Sequence, residues 1–477
     1  MLFNSYQFVL LFLPITTICF FVIRNEARAQ ILMIGAAVFF YCYWSTIFFA
    51  LIFSGVVINY YLSRFLLTNT GPHRKMVLAA GIVINLIPLA YFKYVPFISE
   101  NIDLIFQLDV TISYMVLPLA ISFYTFQKIV LIVQSYRREV ADVNFRSYLL
   151  FIIFFPHLIA GPITSAKELL PQFARRGTYR FNHDNFALGL TIFIVGLSKK
   201  ALVADTVAVY ATPVFQAAES GTAVSFLDAW VGVLAFTLQL YFDFSGYSDM
   251  AIGLARMFNI TMPINFYSPY KSTSIIEFWR HWHMSLSWFL REHVYIPLGG
   301  NRCGLRRHLI NLFATMLIAG IWHGAGWTFV IFGAIHGAAL VVNVFWRAME
   351  RSLNTVAALG LTFITVVVGW VFFRAYSVAG AASILNAMFN PIHAVHHPGH
   401  PNPTAFVGIA LLLLAIGVLP NTTQIFERWR LADSRLAAGP LWLTWNPSRK
   451  WAMVIAGLAI ADLLKMQDYS EFLYFNF

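Results

Sequence analysis

The chain has 477 residues, of which 59% are hydrophobic and only 11% are charged. A soluble globular protein is typically about 25% charged, so this composition excludes a soluble fold and predicts a polytopic membrane protein. Lys and Arg outnumber Asp and Glu by 32 to 21, a surplus that is typical of cytoplasmic loops. No basic run with interleaved aromatic residues indicates a nucleic acid partner.

Apolar segments that approach the roughly 20 residues of a membrane span recur along the chain. We predict spans near 7–23, 30–44, 46–67, 77–97, 113–135, 186–210, 226–258, 309–323, 327–346, 353–373, 404–420 and 451–465. The first lacks a basic segment before it, so it is interpreted as a retained helix rather than a signal peptide. The fold prediction is an all-α membrane protein with roughly 10–12 transmembrane helices in a single domain, 1–477.

Less regular segments interrupt this pattern. The apolar stretch 147–163 contains two prolines and has basic residues beyond both ends, which predicts a re-entrant segment. The stretch 271–308 carries too many charges to span a bilayer. The longest polar stretches, 164–185 and 375–403, are predicted to be loops, and no soluble domain is expected.

Charge alternates between the first loops. The segments 24–28, 73–75 and 137–138 are basic, whereas 98–112 is acidic and includes Asp109. The positive-inside rule therefore places the basic loops in the cytoplasm and the N-terminus outside.

Two aspartates lie in the apolar segment QLYFDFSGYSDMAIG, 239–253. An ionisable residue inside a membrane costs about 2.5–3.5 kcal/mol on insertion scales, so Asp243 and Asp249 are functional candidates. Two carboxylates can serve as an acid/base pair. The alternative, which we favour, is that they hydrogen-bond to backbone or basic groups and hold helices together.

A charged aromatic segment follows, EFWRHWHMSLSWFLREHVYIPLGGNR, 277–302. If it is helical, Trp279, His283 and Ser287 share one face, and Arg280 lies beside them. The segment is also amphipathic, so His283 is alternatively an interface histidine.

The same segment ends in two glycines followed by Asn301 and Arg302. Backbone N–H groups and charge there could bind a phosphate, although a Gly-Gly turn before a helix is the commoner explanation. His281 and His283 lack helical zinc spacing, and the cluster His393–His400 is interpreted as an external loop, so no metal site is predicted.

The stretch IAGIWHGAGW, 318–327, places His323 near the end of an apolar segment among glycines. Glycine permits close backbone approach and a break in the helix. Desolvation would keep a buried histidine neutral and able to accept a proton, which is what a general base needs. A satisfied core histidine is an equally good interpretation on pattern alone.

Two other histidines have structural interpretations. His157 lies between prolines at a predicted helix break, and His336 lies among small residues in GAIHGAA, as packing histidines do. The three cysteines give no disulfide framework and are predicted to be reduced and packed.

Taken together, several motifs resemble the membrane-bound O-acyltransferases (MBOAT), in the bacterial branch that acts on alginate and teichoic acids. They are MLFNSYQFVLLFLP, LPLAISFYTFQKI, FFPHLIAGPI, LQLYFDFSGYSDMAIG, INFYSPYKSTSIIEFWRHWHMSLSWFLREHVYIPLGGNR and IAGIWHGAGWTFVIFGAIHG. The resemblance covers nearly the whole chain. The alginate branch usually has arginine where His281 stands, a departure that leaves His283 in place.

The resemblance implies an all-helical body around a thinned centre with funnels from both faces. It places the family's invariant histidine at His323 and its second histidine at His283, both expected to be catalytic. It implies acyl transfer from a cytosolic thioester such as acetyl-CoA, with no bound cofactor. It also implies an extracytoplasmic acetyltransferase partner of the SGNH type, in a bacterial inner membrane whose lipid surrounds the chain.

Substrate-binding roles are assigned to a further set of polar and aromatic residues: Arg280, Trp279, Ser287, Asn301, Arg302, Asp243 and Asp249. The resemblance implies O-acetylation of an extracellular or cell-wall polysaccharide of the alginate type, with cellulose or peptidoglycan as the alternative acceptor of a sister system. Two functions of other classes also stay open from the residues alone. One is a transporter that uses the histidines as a proton relay, and the other is a structural platform for a partner enzyme.

Overall fold

The structure, a computed structural model, describes residues 1–23, 25–108, 112, 115–141, 144–391, 403–426, 443–466 and 473. Every regular element in these ranges is helical, which confirms the all-α prediction. The first helices are α1 (Leu13–Val22), α2 (Glu26–Cys42), α3 (Thr46–Thr68), α4 (His73–Leu89), α5 (Val95–Phe106), α6 (Ile121–Tyr136), α7 (Phe145–Ile153), α8 (Phe155–Leu158), α9 (Ala166–Phe173), α10 (His183–Ser198) and α11 (Asp205–Glu219).

The later helices follow a long central one. They are α12 (Phe226–Met257), α13 (Ile275–His281), α14 (Met284–Leu290), α15 (Leu305–His323), α16 (Trp327–Ala348), α17 (Thr355–Arg374), α18 (Val378–Phe389), α19 (Pro403–Val418), α20 (Thr422–Ile425) and α21 (Arg449–Lys465). Segments of π-helix at Gln7–Phe12, Ala90–Tyr94, Lys199–Ala204 and Arg291–Tyr295 adjoin these helices, and short 3-10 turns lie at Arg176–Tyr179 and Pro269–Lys271.

Six helical runs in the described part of the chain are long and apolar enough to cross a membrane. They are Thr46–Thr68, His73–Phe106, His183–Glu219, Phe226–Met257, Trp327–Ala348 and Thr355–Arg374, and shorter apolar helices accompany them. Several large apolar side chains on these runs are exposed, such as Ile47 at 79% and Val356 at 80%, as lipid contact requires. The chain is therefore a multi-pass membrane protein, and the total of 10–12 spans stays a prediction.

The run His73–Phe106 corrects one predicted loop. Residues 98–106 belong to α5 and not to a loop, because Pro96 lies in the first turn of that helix, where a missing N–H is tolerated. The helix ends at Gln107, whose φ is 53°. Asp109 lies outside the described residues.

The two predicted polar loops also contain helices, α9 and α18. Helix α18 begins where the Ser377 hydroxyl accepts a hydrogen bond from the Gly380 N–H at 2.9 Å, and it buries Ala381, Ile384 and Met388. The polar residues that follow this helix in the sequence are the reason why the whole stretch 375–403 was predicted to be a loop. The cluster His393–His400 lies outside the described residues.

The predicted break within 147–163 is present. Helix α7 ends and α8 begins at Phe154, whose ψ of 106° is not helical. His157 is buried there, with Nε2 2.9 Å from the Phe151 carbonyl and Nδ1 3.3 Å from the Thr164 hydroxyl. The structural interpretation of His157 is therefore confirmed, whereas re-entry into the membrane stays a prediction.

The described residues form two compact units. Unit 1 is drawn from Met1–Leu197, Tyr247–Ile264 and Asn446–Phe475, and its core is strongly aromatic, with Phe8 and Phe40 both fully buried. Unit 2 is drawn from Ser198–Gly246 and Asn265–Trp445, and it contains both candidate catalytic histidines. The single-domain assignment stays a prediction.

Candidate active site

The segment around His283 is not one helix. Helix α13 ends at His281, Trp282 is extended with φ −102° and ψ 129°, and α14 begins at Met284. His283 itself has φ 43° and ψ 55°, in the left-handed region. The prediction that Trp279, His283 and Ser287 share one helical face is therefore wrong.

A neighbouring stretch of backbone explains this break. The Tyr267 N–H donates to the His281 carbonyl at 3.0 Å, and the Met284 N–H donates to the Asn265 carbonyl at 2.9 Å. These bonds use backbone groups that a continuous helix would bond within itself, so the chain leaves the helix after His281 and becomes helical again at Met284.

His283 is fully buried. The ring of Phe244 packs edge-to-face against it with centroids 4.6 Å apart, and Nδ1 lies 3.4 Å from the Asn265 side-chain oxygen. Burial lowers the pKa of His283 to about 3, so the imidazole is neutral near pH 7. The interpretation of His283 as an exposed interface histidine is wrong.

His323 is the last residue of α15 and only 4% exposed. Its ring lies 5.1 Å from that of Phe373 and 5.9 Å from that of Phe332, centroid to centroid. The helix ends here as the glycines predict. A Cβ on Gly324 would lie 2.0 Å from the Phe329 ring, so a larger residue there would displace that ring.

The position of His323 along α15 is fixed relative to α16 by the place where the two helices cross. A Cβ on Gly320 would lie 2.3 Å from the Phe329 carbonyl oxygen, and one on Gly333 would lie 2.6 Å from the Met316 carbonyl oxygen. The two backbones are therefore in direct contact, as small residues allow between membrane helices. His323 follows Gly320 by about one turn.

Trp322 connects the two histidines. Its indole centroid lies 4.8 Å from the His323 ring and 6.3 Å from the His283 ring. The fold thus brings together two buried histidines that are 40 residues apart in the sequence and places them around one tryptophan. Aromatic side chains enclose both, so the pair lies in a weakly polar environment in which electrostatic interactions are strong.

The other predicted site residues are distributed differently. The Trp279 indole N–H donates to His336 Nδ1 at 3.3 Å, away from His283. The Ser287 hydroxyl lies 3.4 Å from the Trp282 carbonyl and is half-buried. Arg280, Asn301 and Arg302 are exposed.

The glycine pair is an internal turn. Gly299 and Gly300 have φ of 110° and 57°, and their N–H groups donate to the carbonyls of Ile296 and Tyr295 at 2.9 Å. The Asn311 amide donates to the Gly300 carbonyl at 3.0 Å and ties the turn to α15. These glycine N–H groups are therefore already bonded, which favours the turn over a phosphate site.

The two aspartates do not form a pair. Asp243 and Asp249 are six residues apart on α12, about 9 Å along its axis. An oxygen of Asp243 lies 2.6 Å from the Lys200 ammonium, which also lies 2.8 Å from Asp205. This ion pair favours the structural alternative for Asp243, whose role stays a prediction, and Asp249 is half-buried in unit 1.

Comparison with known proteins decides the family. The family model described as "MBOAT, membrane-bound O-acyltransferase family" matches residues 25–379 of this chain. The chain belongs to the MBOAT family. As an MBOAT protein it is an O-acyltransferase, and the matched range contains every residue that was predicted for the site.

Named MBOAT relatives agree with the assignment. The chain is 41% identical to "Probable alginate O-acetylase AlgI" of Pseudomonas aeruginosa over 100% of both chains. It is 38% identical to "Peptidoglycan O-acetyltransferase" of Helicobacter pylori over 81% of this chain and 80% of that one. Similarity to "Teichoic acid D-alanyltransferase" of Streptococcus thermophilus is 28% identity over 50% of this chain.

Two residues of this MBOAT site were missed in the sequence. Asn265 contacts His283, but it was noticed only as part of a longer motif, because its partner is 18 positions away. Lys200 lies within the span predicted near 186–210, where it was not singled out as a site residue. A buried lysine requires a counter-charge, so Lys200 was itself a signal that Asp243 is paired.

Among the described residues, no three His, Cys, Asp or Glu side chains come together as a metal site would require. The three cysteines are all free, with Cys303 exposed and Cys19 and Cys42 partly buried.

Proposed function

We propose that this MBOAT protein takes an acetyl group from a cytosolic thioester, acetyl-CoA, and passes it across the bacterial inner membrane for O-acetylation of a polysaccharide outside. The observation that supports the proposal is the pair of buried histidines around Trp322, inside the range that matches the family. The N-terminus lies outside and the basic loops lie in the cytoplasm.

His323 is the general base in this proposal. It removes the proton from the acceptor hydroxyl as the oxygen attacks the thioester carbonyl, and it returns the proton to the departing thiolate when the tetrahedral intermediate collapses. Nearby backbone and side-chain dipoles stabilise the oxyanion. His283 positions the donor. A site reached from both faces would let a charged donor remain in the cytosol.

The final acceptor is a surface polymer, for which the names of the relatives suggest alginate or peptidoglycan. Full-length similarity at 41% identity favours an alginate-like polysaccharide. We further propose that a separate extracytoplasmic acetyltransferase of the SGNH type completes the transfer. Gentle solubilisation followed by pull-down should recover such a protein, and efficient polymer acetylation by the purified chain alone would argue against a relay.

The deciding experiment replaces His323. Loss of a general base lowers a rate by about 10²–10⁴-fold, so His323→Ala should abolish acetyl transfer at unchanged expression and donor binding. His336→Ala is the matched control, because that histidine is also buried in unit 2 but bonds to Trp279. Any loss of acetylation in the control should follow the amount of folded protein.

Two results would favour other functions. Wild-type acetylation by His323→Ala at equal expression would favour the structural platform. Acetyl transfer that requires an ion gradient in reconstituted vesicles would favour the transporter, whereas transfer by detergent-solubilised protein without any gradient supports the enzyme.

A further inference from the structure

The side chain of Asn265 has an orientation that its partners determine. The backbone N–H of Ser285 points at one end of the Asn265 amide, 3.2 Å away, and the Ser285 hydroxyl donates to the same atom at 2.6 Å. A backbone N–H can only donate, so the atom that receives it is the oxygen. The amide oxygen of Asn265 therefore faces His283.

This orientation has a consequence for the imidazole. His283 Nδ1 lies 3.4 Å from the same oxygen, and an amide oxygen can only accept a hydrogen bond. The hydrogen of the neutral ring must then be on Nδ1, which leaves the lone pair on Nε2. Burial keeps the ring neutral, as its low pKa indicates.

We infer that Asn265 is a positioning residue that fixes His283 in the Nδ1–H tautomer, so that Nε2 meets the substrate as a hydrogen-bond acceptor. The inference rests on the proposed function, because it specifies what His283 does in that site. The substrate group that contacts His283 is then a donor, such as a hydroxyl or an amide N–H of the acyl donor. A carbonyl oxygen or the oxyanion would not bind there.

Neighbouring contacts keep this arrangement rigid. Asn265 is 1% exposed, and its own carbonyl accepts the Met284 N–H at 2.9 Å, so both its backbone and its side chain are bonded to the residues that directly follow His283. The Phe244 ring stands at 88° to the imidazole and limits its rotation. The left-handed backbone at His283 brings the ring towards Asn265.

Two substitutions test the inference through activity. Asn265→Leu removes the acceptor and should lower kcat/KM for the thioester by about 10–100-fold, the usual effect of losing an orienting partner. Asn265→Asp keeps an oxygen acceptor and adds a negative charge that stabilises the imidazolium. It should retain turnover and move the acid limb of the pH–rate profile upward by about 1–3 units.

Controls separate this effect from misfolding. Asn311→Asp is the control, because Asn311 is another buried asparagine of unit 2 and its described hydrogen bond goes to the Gly300 carbonyl and not to a histidine. The acid limb of the pH–rate profile of this variant should match that of the wild type. In a His283→Leu background, Asn265→Asp should no longer move the acid limb. If Asn265→Leu does not fold, the test rests on Asn265→Asp. A pH–rate profile of Asn265→Asp that is identical to that of the wild type would overturn the inference.

A measurement without activity distinguishes the inference from the proposed function. With ¹⁵N-labelled histidine, the His283 signals, assigned by their loss in His283→Leu, should show a protonated Nδ1 and an unprotonated Nε2. The opposite tautomer would overturn the inference even in an active enzyme. The expected tautomer in a protein that transfers no acetyl group would support the positioning and refute the function.

Discussion

The ammonium of Lys200 lies 2.6 Å from a carboxylate oxygen of Asp243, and both side chains are at most 5% exposed. Lys200 lies in the π-helical segment between α10 and α11, whereas Asp243 lies in the middle of α12. Removing one partner of a buried ion pair leaves a charge without compensation, which is far more destabilising than replacing both.

Lys200→Met leaves the buried Asp243 carboxylate without its counter-charge and should therefore lower the stability of the detergent-solubilised protein by about 3–5 kcal/mol. The double variant Lys200→Met with Asp243→Leu should recover much of that loss, because only Asp205, whose side chain is 17% exposed, then lacks the lysine. Thermal melting of purified protein measures both. An additive double variant would contradict the coupling.

Trp279 and His336 are expected to act as a structural pair. The indole can only donate, so its bond to Nδ1 requires that His336 carries its hydrogen on Nε2. Trp279→Phe removes that bond and should destabilise the protein by about 1–3 kcal/mol while the rate per folded molecule stays near the wild type. A large fall in that rate at normal melting temperature would instead place Trp279 in the substrate site.

The pH dependence of stability should report the buried histidines. Burial lowers the pKa of His283 to about 3 and that of His157 to about 4, below the value of about 6.5 in an unfolded chain. Below pH 6.5 the unfolded chain therefore binds protons that the folded chain does not. Stability is full above that pH and should fall by about 2 kcal/mol per histidine at pH 5.

Replacement of one histidine tests this dependence. His283→Phe should give a shallower decrease in melting temperature between pH 7 and pH 5 than the wild type. Parallel curves would mean that His283 is not a source of the acid sensitivity.

Orientation can be tested with tags. Reporters at 24–28 and 137–139 should give a cytoplasmic signal, and one placed after α5, at 107–112, should give an exterior signal, because charge alternates between these loops. A cytoplasmic signal after α5 would reverse the topology.

Parts of this fold follow from local sequence, whereas other parts depend on distant contacts. The end of α15 at His323 was predictable, since the glycines that follow it, Gly324 and Gly326, disfavour a continued helix. The break at His283 was not, because it depends on hydrogen bonds to residues 265–267, which no helical periodicity reveals. An aspartate in an apolar segment predicts a basic or hydrogen-bonding partner for Asp243, but only the fold identifies that partner as Lys200, 43 positions earlier.

Gly320 and Gly333 provide one further test. A Cβ at Gly320 would collide with the backbone of the next helix and not with a flexible side chain, so Gly320→Val should force α15 and α16 apart. Acetyl transfer should be lost even where folded protein is recovered, because His323 would shift relative to Trp322 and His283. Gly360→Val is the control, since nothing lies within 4 Å of a Cβ there.

The same crossing bears on how enzymes of this architecture could diversify. Because α15 and α16 meet through main-chain atoms at Gly320 and Gly333, the position of His323, the proposed base, depends less on the volumes of side chains at this crossing. Residues that line the path of an acyl group or an acceptor could then be exchanged one at a time while the reactive nitrogen keeps its coordinates. A fixed base and an adaptable lining would let one scaffold accommodate different polymers.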